Sequence, residues 1–534
     1  MNASLNSRST AAPLRPAVAV AICLLWSCGG SGGGTPPDGG MPADGGGTPV
    51  WVGVIGTGQS LSVGAASNGL VFTKPSPNSF KLSLGARETT WPIDATDPEL
   101  SLVPLAEPIR TINTTSYSAP YPINIYGETF HTTMAVQLDT INRLVEGGGG
   151  GGGGGVGLPS VHSVVGQGDS SITVIQKGGT GNAYAASLFE AAALTRLAAA
   201  AGARYEVFAV VLTHGEKDAE LPSYEDGIAR LQSDYEQDLK AITGQTRPIP
   251  LILTQQHADP VTGRSTSTVA AWKAGVDHAG KIYCAGPKYQ YGYASDRIHL
   301  VAGQYDRLGV KYAEVVHAIT IASNDWQPLQ PLDITVEGQT IAVRFHVPAP
   351  PLAWDEAFGA PHQFVHAAWK NGRGFEVEDS QGEVTITDAT IDGGTIRLGI
   401  DRLPDTTTAP LMVRYAMTQD ATALAGGLVS GRFGQLHDSD ALMGADATEI
   451  DCMMTNGSTQ ATSAAAGAFL GHAPHDMVDV VGGSGLAPDT TVVAMGATIA
   501  SLSQPWTGPT GPARLRFRSN QWNYAVAFEM AALQ

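Results

Sequence analysis

Apolar positions fall into two textures along the chain. From Val50 to about Ser323 they gather in short, near-continuous runs: V-W-V-G-V-I-G, T-V-I-Q, Y-E-V-F-A-V-V-L-T, P-I-P-L-I-L-T and K-I-Y-C-A. Such runs fit strands covered on both faces, as in a parallel sheet. Between them, apolar residues recur at helical spacing in T-F-H-T-T-M-A-V-Q-L-D-T-I-N-R-L-V, A-A-S-L-F-E-A-A-A-L-T-R-L-A-A-A and Y-E-D-G-I-A-R-L-Q-S-D-Y-E-Q-D-L-K-A-I. This alternation predicts a doubly wound α/β domain over residues 50–325, with its site at the carboxyl ends of the strands. After Trp326 the period drops to two, in D-I-T-V-E-G-Q-T-I-A-V-R-F-H-V, G-E-V-T-I-T-D-A-T-I, G-T-I-R-L-G-I and P-L-M-V-R-Y-A-M, and again in A-R-L-R-F-R-S and N-Y-A-V-A-F-E-M. Residues 326–534 therefore read as an antiparallel β-sandwich. Residues 421–505 are rich in Ala, Gly and Thr and show no legible strand pattern.

The first 49 residues stand apart. Arg8 and Arg15 precede the apolar run A-V-A-V-A-I-C-L-L-W, which is too short for an ordinary membrane span. With L-L-W-S-C-G-G after it, the segment 1–28 resembles a bacterial lipoprotein signal, and the resemblance implies lipidation at Cys28. The alternative is an ordinary secretory signal cleaved nearby. Residues 29–49 are a Gly/Pro/Asp tether with nothing to bury. The expectation is a protein in the cell envelope, periplasmic or on the outer-membrane face and touching membrane only through its lipid, or a secreted one. Nine consecutive glycines at 147–155 read as an expanded surface loop with a span of about 17 Å.

Composition narrows the choices. Hydrophobic residues make up 43% of the 534 and charged ones 15%, with a formal charge of −18, which argues against nucleic-acid binding. Beyond the signal region only Cys284 and Cys452 remain. They fall in different predicted domains and lack metal-ligand spacing, so they read as two separate buried thiols.

The chemistry sits at the predicted strand ends. The first run passes straight into T-G-Q-S-L-S-V-G, which holds Ser60 in a glycine turn with nothing bulkier than Gln59 beside it. A nucleophilic serine needs a neighbouring base. Asp296 and His299, three apart before a helical pattern, have the spacing for a carboxylate that fixes an imidazole tautomer. Taken alone the pair also fits a helix-capping aspartate and a surface histidine. V-I-Q-K-G-G-T-G-N-A-Y suggests a strand, glycines and a helix, where a backbone N–H approaches a developing oxyanion. V-V-L-T-H-G-E-K-D ends an apolar run in His214, Gly215, Glu216 and Asp218, an unusual density of polar groups for a buried strand.

In combination these segments resemble the SGNH (GDSL-like) hydrolases, whose fold is a flavodoxin-like doubly wound sheet. G-Q-S-L at 58–61 resembles their first block and D-R-I-H-L at 296–300 their last. K-G-G-T at 177–180 and H-G-E-K-D at 214–218 look more like the sialate O-acetylesterase and carbohydrate acetylesterase branch. The resemblance covers roughly residues 50–320. It implies Ser60 as nucleophile, His299 as general base and then acid, Asp296 as its orienter, and oxyanion donors at Ser60 N–H and Gly179 N–H, with Gly178 as the one-residue offset. Gln59 and Glu216 would shape the site by hydrogen bonds. His214 stands where that branch has Gln, which leaves its oxyanion role in question. The implied activity is metal-free and cofactor-free removal of acetyl groups from carbohydrate. Competing readings are a non-catalytic surface-binding lipoprotein and a lipase or thioesterase on the same scaffold. The sandwich would either bind glycan through Trp354, Trp369, Trp506 or Trp522, or buttress the catalytic domain.

Overall fold

The computed structural model describes residues 48–67, 76, 78–84, 94–109, 121, 127–146, 158–258, 263–420, 426–440, 442, 448–469, 472, 476–487 and 490–532. The signal 1–28 with Cys28, the tether up to residue 47 and the glycines at 147–155 lie outside the described residues.

Seven strands form one sheet: β1 (Val50–Gly58), β2 (Ser79–Ser83), β3 (Ser101–Pro104), β4 (Ser160–Val164), β5 (Arg204–Thr213), β6 (Leu251–Leu253) and β7 (Ile282–Cys284). Their order is β3-β2-β4-β1-β5-β6-β7. All neighbours pair in parallel except β2 and β3, which form an antiparallel edge. On one face lie α1 (His131–Glu146) and α6 (Ala302–Thr320), packed on Val52, Val54, Ala209 and Val211. The other face carries α3 (Ala183–Ala200), α4 (Tyr224–Thr243) and α5 (Thr266–Asp277), together with the short α2 (Ile172–Ile175), packed on Ile55, Val210 and Leu212. Burial on both faces is why these strands lack polar alternation. The order reverses around β1, so the crevice at the topological switch point opens beside its carboxyl end.

One expected strand is a helix. T-V-I-Q falls in α2, whose turn is closed by Val174 N–H on Ser171 O (3.0 Å), while Asp218 Oδ2 accepts the Ile172 N–H at 2.6 Å. A β-branched run of four residues has too weak a preference to resist that tertiary cap. The strand that fills the place is β4, S-V-H-S-V. Its buried polar residues hide it from a hydrophobicity pattern, yet His162 is supported by Ser160 Oγ (2.9 Å) and His131 Nδ1 (3.1 Å).

The remainder is antiparallel, as the period of two predicts. One four-stranded sheet joins β8 (Gln330–Glu337), β9 (Thr340–His346), β13 (Ile386–Asp392) and β14 (Thr395–Ile400). A second joins β11 (Phe375–Asp379), β12 (Gly382–Glu383), β15 (Met412–Tyr415) and β23 (Phe528–Ala531), and the two share one core. A two-stranded ribbon pairs β10 (Ala353–Trp354) with β16 (Leu436–His437). Between β16 and β23 the chain builds a further six-stranded sheet with its own core: β17 (Thr448–Met454), β18 (Gln460–Thr462), β19 (Met477–Val480), β20 (Val492–Met495), β21 (Ile499–Leu502) and β22 (Gly511–Arg518). A-R-L-R-F-R-S thus belongs to this extra sheet, as β22, while the last strand returns to complete the sandwich.

The sandwich and the α/β unit are not merely tethered. Trp272, Cys284 and Tyr289 of the α/β unit pack in the same apolar cluster as Phe345, Phe375 and Phe528. Gln255 exchanges two hydrogen bonds with the Ala527 backbone (Nε2 to O 2.7 Å, N–H to Oε1 2.8 Å), and Tyr289 Oη–H donates to Ala525 O at 2.7 Å. Trp369 and Trp506 are buried, and Trp354 and Trp522 are half-buried against the sandwich core. Cys284 and Cys452 are free and buried, and burial pushes both thiols up to about 12.

Because Gln255 satisfies both Ala527 backbone groups, Gln255→Met strands a buried donor and a buried acceptor. Each costs about 1–3 kcal/mol. Urea denaturation of this variant is expected to show the loss as a lower midpoint in a transition shared by the two parts. An unchanged midpoint would mean that the interface does not carry stability.

Candidate active site

The turn after β1 is shaped by backbone constraint. Gly58 sits at φ +135°, and a Cβ there would lie 2.1 Å from Thr213 O, so only glycine lets the β1 end approach β5 this closely. Gln59 N–H then donates to Thr213 O (3.2 Å), and a single 3₁₀ turn, Ser60–Val63, begins. Ser62 Oγ–H closes back on Gln59 O at 2.6 Å. Ser60 is the first residue of this turn, so its N–H belongs to the orphan donors of a helical start.

The structure brings Ser60, His299 and Asp296 together. Ser60 Oγ lies 2.7 Å from His299 Nε2, although the two residues are 239 positions apart. His299 Nδ1 lies 2.7 Å from Asp296 Oδ2, and Asp296 Oδ1 accepts the backbone N–H of Ile298 and of His299, each at 3.0 Å. A carboxylate on Nδ1 fixes the tautomer with the proton there and leaves the Nε2 lone pair toward Ser60. Burial alone would raise the Asp296 pKa, but the hydrogen bonds from His299 and the two backbone N–H groups outweigh it and hold it below its ordinary value. Asp296 is thus charged at neutral pH. Its stabilising contribution is present above the unfolded-state pKa and is lost as pH falls through the lowered one. The side chains of His299 and Asp296 are 19% and 40% exposed, so the site opens to solvent.

The loop that carries them is a narrow hairpin. Tyr293 and Leu300 form an antiparallel bridge, Ala294 N–H donates to His299 O (2.7 Å), and Arg297 turns the tip at φ +58°.

The H-G-E-K-D segment at the end of β5 is scaffolding. Glu216 Oε2 accepts from Gln59 Nε2 (2.9 Å), and its Oε1 is paired with Lys288 Nζ at 2.8 Å, both side chains buried. Gln59 Oε1 also accepts the Lys217 N–H at 3.3 Å. His214 Nε2–H donates to Ser170 O (2.9 Å) while its Nδ1 accepts from Tyr224 Oη–H (2.9 Å). Burial lowers its pKa, so the ring is neutral. Both His214 nitrogens are engaged inside the protein, so it is no oxyanion donor but a clamp on the loop after β4.

The glycine expectation also needs correction. Gly179 follows α2 rather than a strand, and its N–H already donates to Gln176 O at 3.0 Å. Gly178 lies exposed beside it at φ +73°. The glycine that reaches the serine turn is Gly166. The β1–β4 ladder runs on through Gln167 N–H to Gly58 O (2.9 Å), and a Cβ on Gly166 would lie 1.8 Å from Ser62 Oγ. Gly168 carries the first amide beyond that ladder. The signal was present in V-V-G-Q-G-D, a glycine turn after an unrecognised strand. Lys288, in G-P-K-Y, had no such signal.

No protein-family model matches the chain, and no curated relative matches it. Its structural neighbours include carbohydrate acetylesterases. A carbohydrate acetylesterase from Xanthomonas citri aligns over 72% of this chain and 77% of its own, at 13% identity and a TM-score of 0.41. NanS aligns over 50% of this chain and 96% of its own, at 12% identity and a TM-score of 0.29. A carbohydrate acetylesterase from Sinorhizobium meliloti aligns over 50% and 99%, at 13% identity and a TM-score of 0.25.

Proposed function

We propose that the protein is a serine esterase that removes acetyl groups from carbohydrate, working in the cell envelope on a lipid anchor at Cys28. The observation that carries the esterase reading is the hydrogen-bonded series Ser60–His299–Asp296 at the carboxyl end of a parallel sheet, with both links at 2.7 Å. The carbohydrate preference rests on the resemblance of G-Q-S and H-G-E-K-D to the acetylesterase branch, and the anchor rests on residues 1–28.

In this reading His299 Nε2 takes the Ser60 proton as Ser60 Oγ attacks the ester carbonyl carbon. The carbonyl oxygen becomes an oxyanion, which the Ser60 N–H and the Gly168 N–H would hold as preorganised donors. Collapse expels the sugar hydroxyl oxygen, which takes the proton from His299, and leaves an acetyl group on Ser60. Water then attacks with His299 again as base, releases acetate and restores the serine. Asp296 keeps the imidazole oriented and stabilises its cationic form throughout.

Ser60→Ala and His299→Ala are each expected to lower p-nitrophenyl acetate hydrolysis by at least about 10³-fold, and Asp296→Asn by about 10²–10⁴-fold. Rates within twofold of wild type for Ser60→Ala would favour a non-catalytic binding protein. An acyl-length series tests the substrate: p-nitrophenyl acetate should turn over faster than the butyrate and octanoate esters, and acetate should be released from acetylated oligosaccharides. Faster turnover of octanoate would replace this reading with a lipase or thioesterase.

A further inference from the structure

The Ala/Gly/Thr-rich stretch without a strand pattern returns to the catalytic hairpin. Gly426 N–H donates to Arg297 O at 2.7 Å, and Arg297 is the left-handed residue at the hairpin tip, between Asp296 and His299. The fit leaves no room for a side chain. A Cβ on Gly426 would lie 2.6 Å from Tyr293 Cε1, 2.8 Å from Ala258 Cβ and 2.8 Å from Arg297 O, and one on Gly427 would lie 2.7 Å from Tyr293 Cδ2. Tyr293 is itself half of the bridge that closes the hairpin.

The segment is held from behind. Ser430 Oγ–H donates to Gly427 O (2.7 Å) and accepts from Arg432 N–H (3.0 Å), while Ser430 O accepts the Asp420 N–H at 2.8 Å. The buried Arg432 guanidinium reaches Gly263 O (3.2 Å) and Gln419 Oε1 (2.8 Å), one on each side of the junction between the α/β unit and the sandwich. A rigid brace therefore runs from the sandwich to the backbone between the two residues that must stay aligned with Ser60.

We propose, on the reading of Ser60, His299 and Asp296 given above, that residues 426–432 are a positioning strap through which the antiparallel region sets the catalytic hairpin. The sandwich then acts in turnover by fixing where His299 Nε2 stands relative to Ser60 Oγ. Gly426 is its contact point, and it touches the hairpin backbone, not substrate. A displacement of about 1 Å at a reacting group costs on the order of 10²-fold in rate.

The experiment compares full-length wild type, Gly426→Ala, Ser430→Ala and Gly359→Ala on p-nitrophenyl acetate, with Ser60→Ala as blank. Gly359 lies in the antiparallel region with open space where a Cβ would stand, so its alanine variant controls for substitution in that region. Active sites are counted with a fluorophosphonate that labels Ser60, so kcat is expressed per competent site and lost folding does not count. The strap predicts a kcat per site lower by about 10- to 100-fold in Gly426→Ala, a smaller loss in Ser430→Ala, KM within threefold in both, and wild-type values in Gly359→Ala. If Gly426→Ala does not fold, Ser430→Ala carries the test. Wild-type kcat per site in the folded strap variants overturns the strap and leaves the esterase reading standing. A wild-type rate no higher than the Ser60→Ala blank overturns that reading itself, and the strap with it.

Discussion

The hydrogen bond between Ser60 Oγ and His299 Nε2 joins the first strand of the sheet to a loop that leaves its far edge. β7 stands three places from β1, and strand spacings of about 4.8 Å make that roughly 14 Å. The chain between β7 and α6 must therefore travel back over the ends of β6 and β5 before His299 meets the serine. A loop making that crossing has no ladder to lie in. It needs anchors along the way, and much of the structure around the site supplies them.

Three side chains of H-G-E-K-D supply the inner anchors, each to a different partner. His214 grips Ser170 O, Glu216 grips Gln59, and Asp218 caps Ile172. One strand end thus fixes both the serine turn and the glycine loop beside it. The Glu216–Lys288 pair shows what this asks of the fold. A buried pair gains little over an apolar substitute, whereas removing one partner costs about 3–5 kcal/mol. Its use is direction: with Oε1 taken by Lys288 Nζ, Oε2 is left for Gln59, and Lys288 itself comes from the returning loop. The loop that brings His299 and the turn that presents Ser60 are coupled through that one carboxylate.

How much of this was legible follows from which interactions are local. The β1 and β5 runs, α1, α3, α4, and the antiparallel texture after Trp326 were readable because burial on both faces, or on one, writes itself into apolar spacing. Ser60, Asp296 and His299 were readable because a glycine turn after a strand and a D-x-x-H before a helix are local signatures. β4 was not, since its buried histidine and serines are satisfied by partners such as His131 that no sequence window contains. The same gap misplaced the glycine loop: with β4 unseen, K-G-G-T stood in for G-Q-G, and a helical turn was read as a strand. Lys288 and Gly426 were beyond reach because their partners lie 72 and about 130 positions away, and neither residue type announces a role.

The sandwich completes the same logic. Its core is continuous with α5 and β7 through Trp272 and Cys284, so the edge of the parallel sheet from which the catalytic loop departs is itself packed against the antiparallel region. A free edge at β7 would present an unpaired strand and a long unsupported crossing together. Covering that edge and bracing the hairpin tip are two consequences of one placement, with Tyr289 and Gln255 pinned to Ala525 and Ala527 at the base. That geometry also explains why the last strand returns to the sandwich after the long six-stranded excursion. β23 pairs with β15, and the chain just before and within it carries Ala525, Ala527 and Phe528, the groups that meet the α/β unit. The interface between the two parts thus draws on both ends of the antiparallel region, with Trp272 Nε1–H donating to Gln330 Oε1 at 2.8 Å and residues 525–528 closing on Gln255 and Tyr289.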